Sequence, residues 1–398
     1  MTSDSAATGE RPLTVLIGAD TFAPDVNGAA RFAERLAAGL AARGHDVHVM
    51  APSVRHRDGG ARIEIIDGEP VTVHRAPSWR WYPHEWLRFV LPWRSRHYAR
   101  AVLDAVLPDV VHSQSHIVVG RGLTLEAGVR GIPVVATNHV MPENLLDFTL
   151  LPEALNRMLL SVSVRAAART LTRSRAITTP TPRAAEFLER MIGVDGVIPV
   201  SCGIDRSRYR PDLEPRSRAG ILFVGRLTAE KQIDVLLRGF ALVDRRHDAV
   251  LELVGEGDQR RALEQLAAQL GVGDRVIFHG HVDDDRLREI YSGASVFAIA
   301  SVAELQSIAT MEAMASALPI VAADAMALPH LVRDGVNGYL FPPGDAQALA
   351  DRLDAVLAAS PDERRRMQQA SLDGVIVHDI NRTLDTFEAL YRGAPPPE

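Results

Sequence analysis

The sequence predicts an α/β protein made of two tandem doubly wound units with a ligand cleft between them. Three observations carry this. Short apolar runs alternate with amphipathic stretches throughout, 398 residues exceed one ordinary core, and the alternation pauses once, mid-chain, in an Arg/Pro/Gly-rich stretch.

The elements follow in order. "LTVLIG" at 13 to 18 and "VHVMAP" at 47 to 52 read as strands, and "AARFAERLAAGLAARGH" between them reads as a helix that Gly44 closes. "DVVHSQ" at 109 to 114, "IPVVATNH" at 132 to 139 and "AITTPT" at 176 to 181 continue the pattern, giving a parallel sheet covered on both faces. "VSCGIDRSRYRPDLEPRSR" at 200 to 218 has no sustained period and reads as a linker. The strand pattern restarts with "GILFVGRL" at 220 to 227 and "AVLELVGEG" at 249 to 257, then "RVIFHG" at 275 to 280 and "VFAIAS" at 296 to 301. It ends with "LPIVAA" at 318 to 323 and "GYLFPP" at 338 to 343. The expected organisation is therefore a disordered tail over 1–12, an N-terminal unit over 13–200, a linker over 201–218 and a C-terminal unit over 219–375. Residues 376–398 form a closing helix, with the option of crossing back to the N-terminal unit, and a tail.

Composition narrows the function. Hydrophobic residues at 46% and charged residues at 24% are globular values, and a net charge of −6 lacks the basic footprint of a general nucleic-acid binder. A single cysteine, Cys202, excludes an internal disulfide framework and a cysteine-rich metal site, which fits a reducing cytoplasm. The polar N-terminus lacks the apolar run of a signal peptide, and no window is long and apolar enough to span a bilayer. The expected location is cytoplasmic, with any membrane contact peripheral.

Of the 44 basic residues that are Lys or Arg, Lys231 alone is lysine. Drift toward arginine replaces lysine wherever a solvated charge suffices. A survivor marks a place where a compact ammonium works and a planar fork does not, such as a tight phosphate pocket; chance is the alternative. Its neighbourhood agrees. "ILFV" runs into Gly225 and Arg226, and Lys231 follows at the opening of a helical pattern, so a positive pair stands at a strand-to-helix junction. A solvated charge pair at a loop is the competing reading. In "SVAELQSIATMEAMASALPIVAAD", Glu304 precedes a helix and Glu312 lies about a turn inside it. Two such carboxylates can hold different parts of one ligand while first-turn amides near Gln306, Ser307 and Ile308 take a phosphate. Taken alone, they would be surface charges.

Together these motifs resemble the GT4 family of retaining glycosyltransferases, which have the two-domain GT-B fold. "FAPDVNGAARFAERLAAGLAARGHDVHVMAP", "GIDRSRYRP" and "LVRDGVNGYLFPPGD" extend the resemblance over roughly residues 13 to 395. It implies that Arg226 and Lys231 bind the donor diphosphate, Glu304 the donor sugar and Glu312 the ribose, with Gly28, Gly225, Gln306, Ser307 and Ile308 also on the donor side. It also implies that His139 reaches toward the donor sugar and acts with Arg226, Lys231 and Glu304 in catalysis. Asn27, His112, His116 and Asn138 become acceptor-side candidates. Asn27-Gly28 stands where the family commonly has paired glycines, and asparagine accepts positive φ better than other non-glycine residues. Leu305-Gln306-Ser307 replaces the usual aromatic and glycine. The implied activity is transfer of a hexose of mannose or glucose type from a UDP- or GDP-sugar, forming an α-linkage without a metal or other cofactor, by front-face displacement. A nucleotide-sugar-binding protein without turnover and an epimerase are the alternatives on the same architecture.

Three further stretches have readings of their own. "VDDDR" at 282 to 286 could be a metal–nucleotide pattern, yet Asp is a preferred N-cap and a helix start fits better. "GEGDQR" at 255 to 260 begins like a dinucleotide fingerprint but has Arg260 where its third glycine belongs. All four tryptophans, Trp79, Trp81, Trp86 and Trp93, lie within residues 78 to 96, interleaved with Arg80, Arg88, Arg94 and Arg96. That pattern suits an anionic membrane interface and a lipid-linked acceptor, or equally a loop whose tryptophans pack inward.

Overall fold

The computed structural model of the chain describes residues 11–25, 27–81, 84–139, 153–214, 216 and 218–397. The N-terminal half is built on strands β1 (Thr14–Gly18), β2 (Asp46–Pro52), β3 (Gly60–Ile66), β4 (Glu69–Ala76), β5 (Trp79–Trp81), β6 (His84–Phe89), β7 (Val110–Ser113), β8 (Val134–Thr137), β9 (Ala176–Thr179) and β10 (Ile198–Pro199). Eight of these form one sheet in the order β10-β9-β8-β7-β1-β2-β4-β3. Only its β3 edge is antiparallel, paired with β4. The C-terminal half has β11 (Gly220–Val224), β12 (Val250–Val254), β13 (Val276–Gly280), β14 (Val296–Ile299), β15 (Ile320–Ala323) and β16 (Gly338–Phe341). These form a parallel sheet in the order β13-β12-β11-β14-β15-β16.

The apolar runs are strands because helices cover both of their faces: every residue of β7, β8, β14 and β15 is buried. Several helix starts are set by side-chain caps. Asn27 Oδ1 accepts from Ala30 N at 2.9 Å, and Asp283 does the same for Arg286 N at 2.8 Å, so the "VDDDR" stretch is a helix start. Asn27 has φ −154°, so the Asn27-Gly28 turn uses the side chain as a cap and not a positive φ.

Two strands of chain cross between the halves and hold each other. Ile204 N donates to His378 O at 2.8 Å, and Ile380 N donates to Ile204 O at 3.1 Å. After this crossing the helix Ile380–Arg392 lies against the N-terminal half. Gly39 lets it approach, since a Cβ there would sit 2.7 Å from Leu384 Cδ1. Arg43 Nη1 donates to Asp385 Oδ1 at 2.7 Å, and Arg175 Nη1 to the Tyr391 carbonyl at 3.1 Å.

The tryptophan segment is an antiparallel ribbon, β5 with β6, followed by the helix Pro92–Val106. Trp79 is half-buried against His56, ring centroids 4.3 Å apart, while Trp93 is 75% exposed. Arg96 donates through Nε to Glu126 Oε1 at 2.8 Å, and Arg88 lines the cleft described below. The side chains of Trp81 and Trp86 lie outside the described residues. No described helix is long and apolar enough to cross a membrane.

Candidate active site

The C-terminal sheet reverses its strand order between β11 and β14, and open α/β sheets bind ligands outside the carboxyl ends of strands at such a point. Both loops that leave there carry the predicted chemistry. After β11 the chain passes Gly225 and Arg226 into a 3₁₀ turn at Ala229–Lys231; after β14 it passes Glu304 into the helix Ile308–Ala315, capped by Ser307. Lys231 Nζ thereby meets Glu304 Oε1 at 2.5 Å, their side chains 15% and 11% exposed. Arg226 Nη2 donates to Glu230 Oε1 at 3.2 Å.

The backbone of residues 225–227 is held by its neighbour. Gly225 N donates to Val254 O at 3.0 Å and Leu227 N to Glu256 O at 2.9 Å. A Cβ on Gly255 would lie 2.0 Å from Gly225 O, and one on Gly257 would lie 2.2 Å from Leu227 O. The "GEG" of the weak fingerprint is therefore glycine-rich because it packs backbone to backbone beneath the Arg226 loop.

Glu312 is engaged on both oxygens. Arg35 Nη2, from the N-terminal half, donates to Oε1 at 2.6 Å, and the Tyr291 hydroxyl donates to Oε2 at 3.1 Å. Burial and then Glu312 raise both the Tyr209 and the Tyr291 phenols, which remain protonated donors. Burial opposes the Arg35 charge, and Glu312 with its neighbours outweighs it. Arg35 Nη1 is buried with no hydrogen-bond partner among the described residues. Arg31 Nη2 makes a second link between the halves, to Asp284 Oδ1 at 2.8 Å. Beside it Glu34 is raised to about 7, by burial first, with Arg31 opposing.

These groups surround one cleft cavity of about 500 Å³. Gly28, Gly225, Arg226, Lys231, Glu304, Gln306, Ser307, Ile308 and Glu312 all line it, so every donor-side candidate reaches the same space, and the acceptor-side candidate Asn27 lines it too. Gln306 also has a second engagement. Its Oε1 accepts from Cys202 N at 2.7 Å and its Nε2 donates to Ser201 Oγ at 3.1 Å, which ties the Glu304 loop to the interdomain crossing.

The N-terminal candidates behave differently, and none of the four that follow is on the cavity wall. His112, expected on the acceptor side, is fully buried: Nδ1 is 2.6 Å from the Tyr391 hydroxyl and Nε2 is 2.7 Å from Thr137 Oγ1. Burial, then His139, pushes it down to about 3, so it is a neutral packing group joining the closing helix to the sheet. His116 is pushed down to about 4 by burial, its Nδ1 without a hydrogen-bond partner among the described residues. Asn138 is buried at the end of β8, with its N–H donating to Thr178 O at 2.9 Å. His139 Nε2 lies 2.9 Å from Gln114 Oε1, and its ring packs on Phe32, centroids 5.0 Å apart; burial lowers it to about 4.

Sequence reasoning missed Arg31, Glu34 and Arg35, which line the cavity from the helix Gly28–Ala42. The available signal was their i, i+3, i+4 spacing on one helix face directly after the Asn27 loop.

Two doubly wound halves, a doubled crossing and charged switch-point loops facing a shared cleft define a protein of the GT-B class. The chain belongs to the group 1 and family 4 glycosyltransferases. The family Glycosyl transferases group 1 matches residues 205–373, and Glycosyltransferase Family 4 matches residues 26–208. A D-inositol 3-phosphate glycosyltransferase of Xylanimonas cellulosilytica is 31% identical over 380 residues, covering 87% of this chain and 86% of that one. Another with that name, from Saccharomonospora viridis, is 28% identical and covers 93% and 90%. In fold, the chain is similar to sucrose-phosphate synthase from Thermosynechococcus elongatus, with a TM-score of 0.79 at 21% identity over 96% and 98% of the two chains. It is also similar to Anabaena HepE in complex with UDP-glucose, with a TM-score of 0.71 at 17% identity over 96% and 100%.

Proposed function

We propose that the protein is a retaining glycosyltransferase that moves a hexose from a nucleotide diphosphate donor, held by the C-terminal half, to an acceptor held against the N-terminal half. The observation that carries this is the Lys231–Glu304 contact at 2.5 Å, made by the two loops that leave the switch point into the cleft. In the reaction the bond between the anomeric carbon and the diphosphate oxygen breaks, and the oxygen keeps the electron pair. Lys231, Arg226 and the first-turn amides of the helix Ile308–Ala315 stabilise that charge where it develops. The acceptor oxygen bonds to the same face of the carbon while its proton passes to the departing phosphate. Glu304 accepts hydroxyls of the sugar and Glu312 those of the ribose. None of these steps calls on a metal or cofactor.

HepE, similar in fold, has been seen with UDP-glucose, and the relatives are named for D-inositol 3-phosphate; this makes UDP-glucose and an inositol phosphate the first pair to test, beside GDP-mannose. Arg31, Arg35, Arg88 and Arg208 on the cleft wall suit an anionic acceptor. The test incubates each donor with the acceptor and reads the anomeric proton of the product by NMR. An α-linked product supports the proposal. A β-linked product, or an altered nucleotide sugar formed without acceptor, would contradict it.

A further inference from the structure

Strand β3 is the free edge of the eight-stranded sheet, since among the described strands only β4 pairs with it. The β3–β4 turn is two residues, Asp67 and Gly68, with φ 49° and 93°, as a type I′ hairpin requires. Its closing pair, Ile66 and Glu69, exchanges both backbone hydrogen bonds, and every second rung does the same. Pro70, which has no N–H, falls opposite Ile65 on a rung that needs none. The backbone N–H and C=O groups of Ala61, Ile63 and Ile65 therefore point to the free edge. On that strand Ile63 is 71% and Ile65 69% exposed.

We propose that this edge joins two copies of the chain, β3 pairing antiparallel with its counterpart across a two-fold axis at Ile63. In that register Ile63 faces Ile63 of the second copy and Ala61 faces Ile65. These are the residues whose backbone groups point outward, so three rungs supply about six new hydrogen bonds. On the opposite face Arg62, whose Nε reaches Glu64 Oε1 of its own strand at 2.7 Å, comes across from Glu64 of the second copy, a carboxylate also held by Arg75 Nη2 at 2.6 Å. Registers centred on Arg62 or Glu64 set like charges against each other, and both put the outward groups out of phase. Charges on an edge strand discourage indiscriminate pairing; here they are complementary to the same strand turned around. The hairpin tip, Asp67, lines the active-site cavity and is 3.0 Å from Arg208, so the join would brace the cleft rim.

The test is sedimentation velocity of the full chain across a range of concentration, for wild type, Ile63→Lys and Ile63→Asp. Expected results are a concentration-dependent dimer for wild type, monomers for each variant alone and a dimer again when the two variants are mixed. Ile63→Cys should also give a disulfide-linked dimer on mild oxidation, because Cα atoms of such a pair lie about 5.5 Å apart, within disulfide range. The side chain is exposed, so unchanged circular dichroism will show that the variants fold. A wild type that stays monomeric at every concentration, or dimers indifferent to both charges at position 63, would overturn the proposal.

Discussion

The two walls of the cleft are made by the same kind of architecture and do different things with it. On the C-terminal wall, loops after β11 and β14 project Arg226, Lys231 and Glu304 into the cavity, and the side chains meet one another there. In the N-terminal half, polar residues within β7 and just after β8 turn inward, off the cavity wall: His112 is bonded on both ring nitrogens, and His139 is held by Gln114 and Phe32. The N-terminal half reaches the cavity mainly through a helix face, with Arg31, Glu34 and Arg35. A diphosphate must be met by fixed charges, which the C-terminal wall offers as side chains under the proposed function, while the histidines of the N-terminal half are packed behind the cavity.

The largest expected effect lies on the C-terminal wall. Glu304→Ala should lower turnover by about 10²-fold or more, the scale of losing one transition-state contact, while diphosphate binding holds or tightens because Lys231 loses its carboxylate partner. Initial rates set against calorimetric affinity separate the two; parallel loss of both would break the division of roles between Glu304 and Lys231. On the other wall, His112→Phe should cost about 1–3 kcal/mol of stability, because the Tyr391 and Thr137 hydroxyls lose a buried partner, with KM for the acceptor unchanged. A large change in KM without a drop in Tm would restore His112 to the acceptor site.

Glu34 gives a smaller, pH-dependent effect. Its folded pKa of about 7 lies above the ordinary 4.5, so the folded state binds the extra proton and stability falls as pH rises from 4.5 to 7. Glu34→Gln keeps the neutral form at all pH values. It should raise Tm at pH 8 and match wild type below pH 4.5. A difference that is the same at both pH values would remove burial as the cause. The smallest effect is expected for Trp93→Ala: at 75% exposure it should leave Tm within experimental scatter. If the tryptophan segment touches membrane, the variant should sediment less with anionic vesicles than wild type; equal sedimentation would leave the segment to packing.

That Arg226, Lys231, Glu304 and Glu312 meet at one cavity was legible because such charges stand out by residue type. A solitary lysine and two glutamates at fixed spacing can be read without coordinates. Arg35 stands out only by its spacing on the helix face and not by its type, since 43 arginines give none of them prominence, and its partner Glu312 is 277 positions away. The parallel strands were legible from their apolar runs. The β3–β4 hairpin was not, although Asp67-Gly68 between alternating residues is a hairpin signal, because β3 exposes most of one face and breaks the strand–helix rhythm. The histidines stand off the cavity wall for a related reason: a strand's carboxyl end faces the cleft as a segment, but each side chain still points into whichever layer the strand's alternation dictates.

Binding of a nucleotide diphosphate by the C-terminal loops through Lys231 is tested by calorimetric titration of UDP, GDP and ADP into wild type and Lys231→Ala, without metal and again with magnesium. One diphosphate should bind the wild type without metal and at least tenfold more weakly to the variant, consistent with the loss of a charge-assisted contact of about 1.5–3 kcal/mol. Binding indifferent to Lys231, or no binding of any of the three, would contradict it.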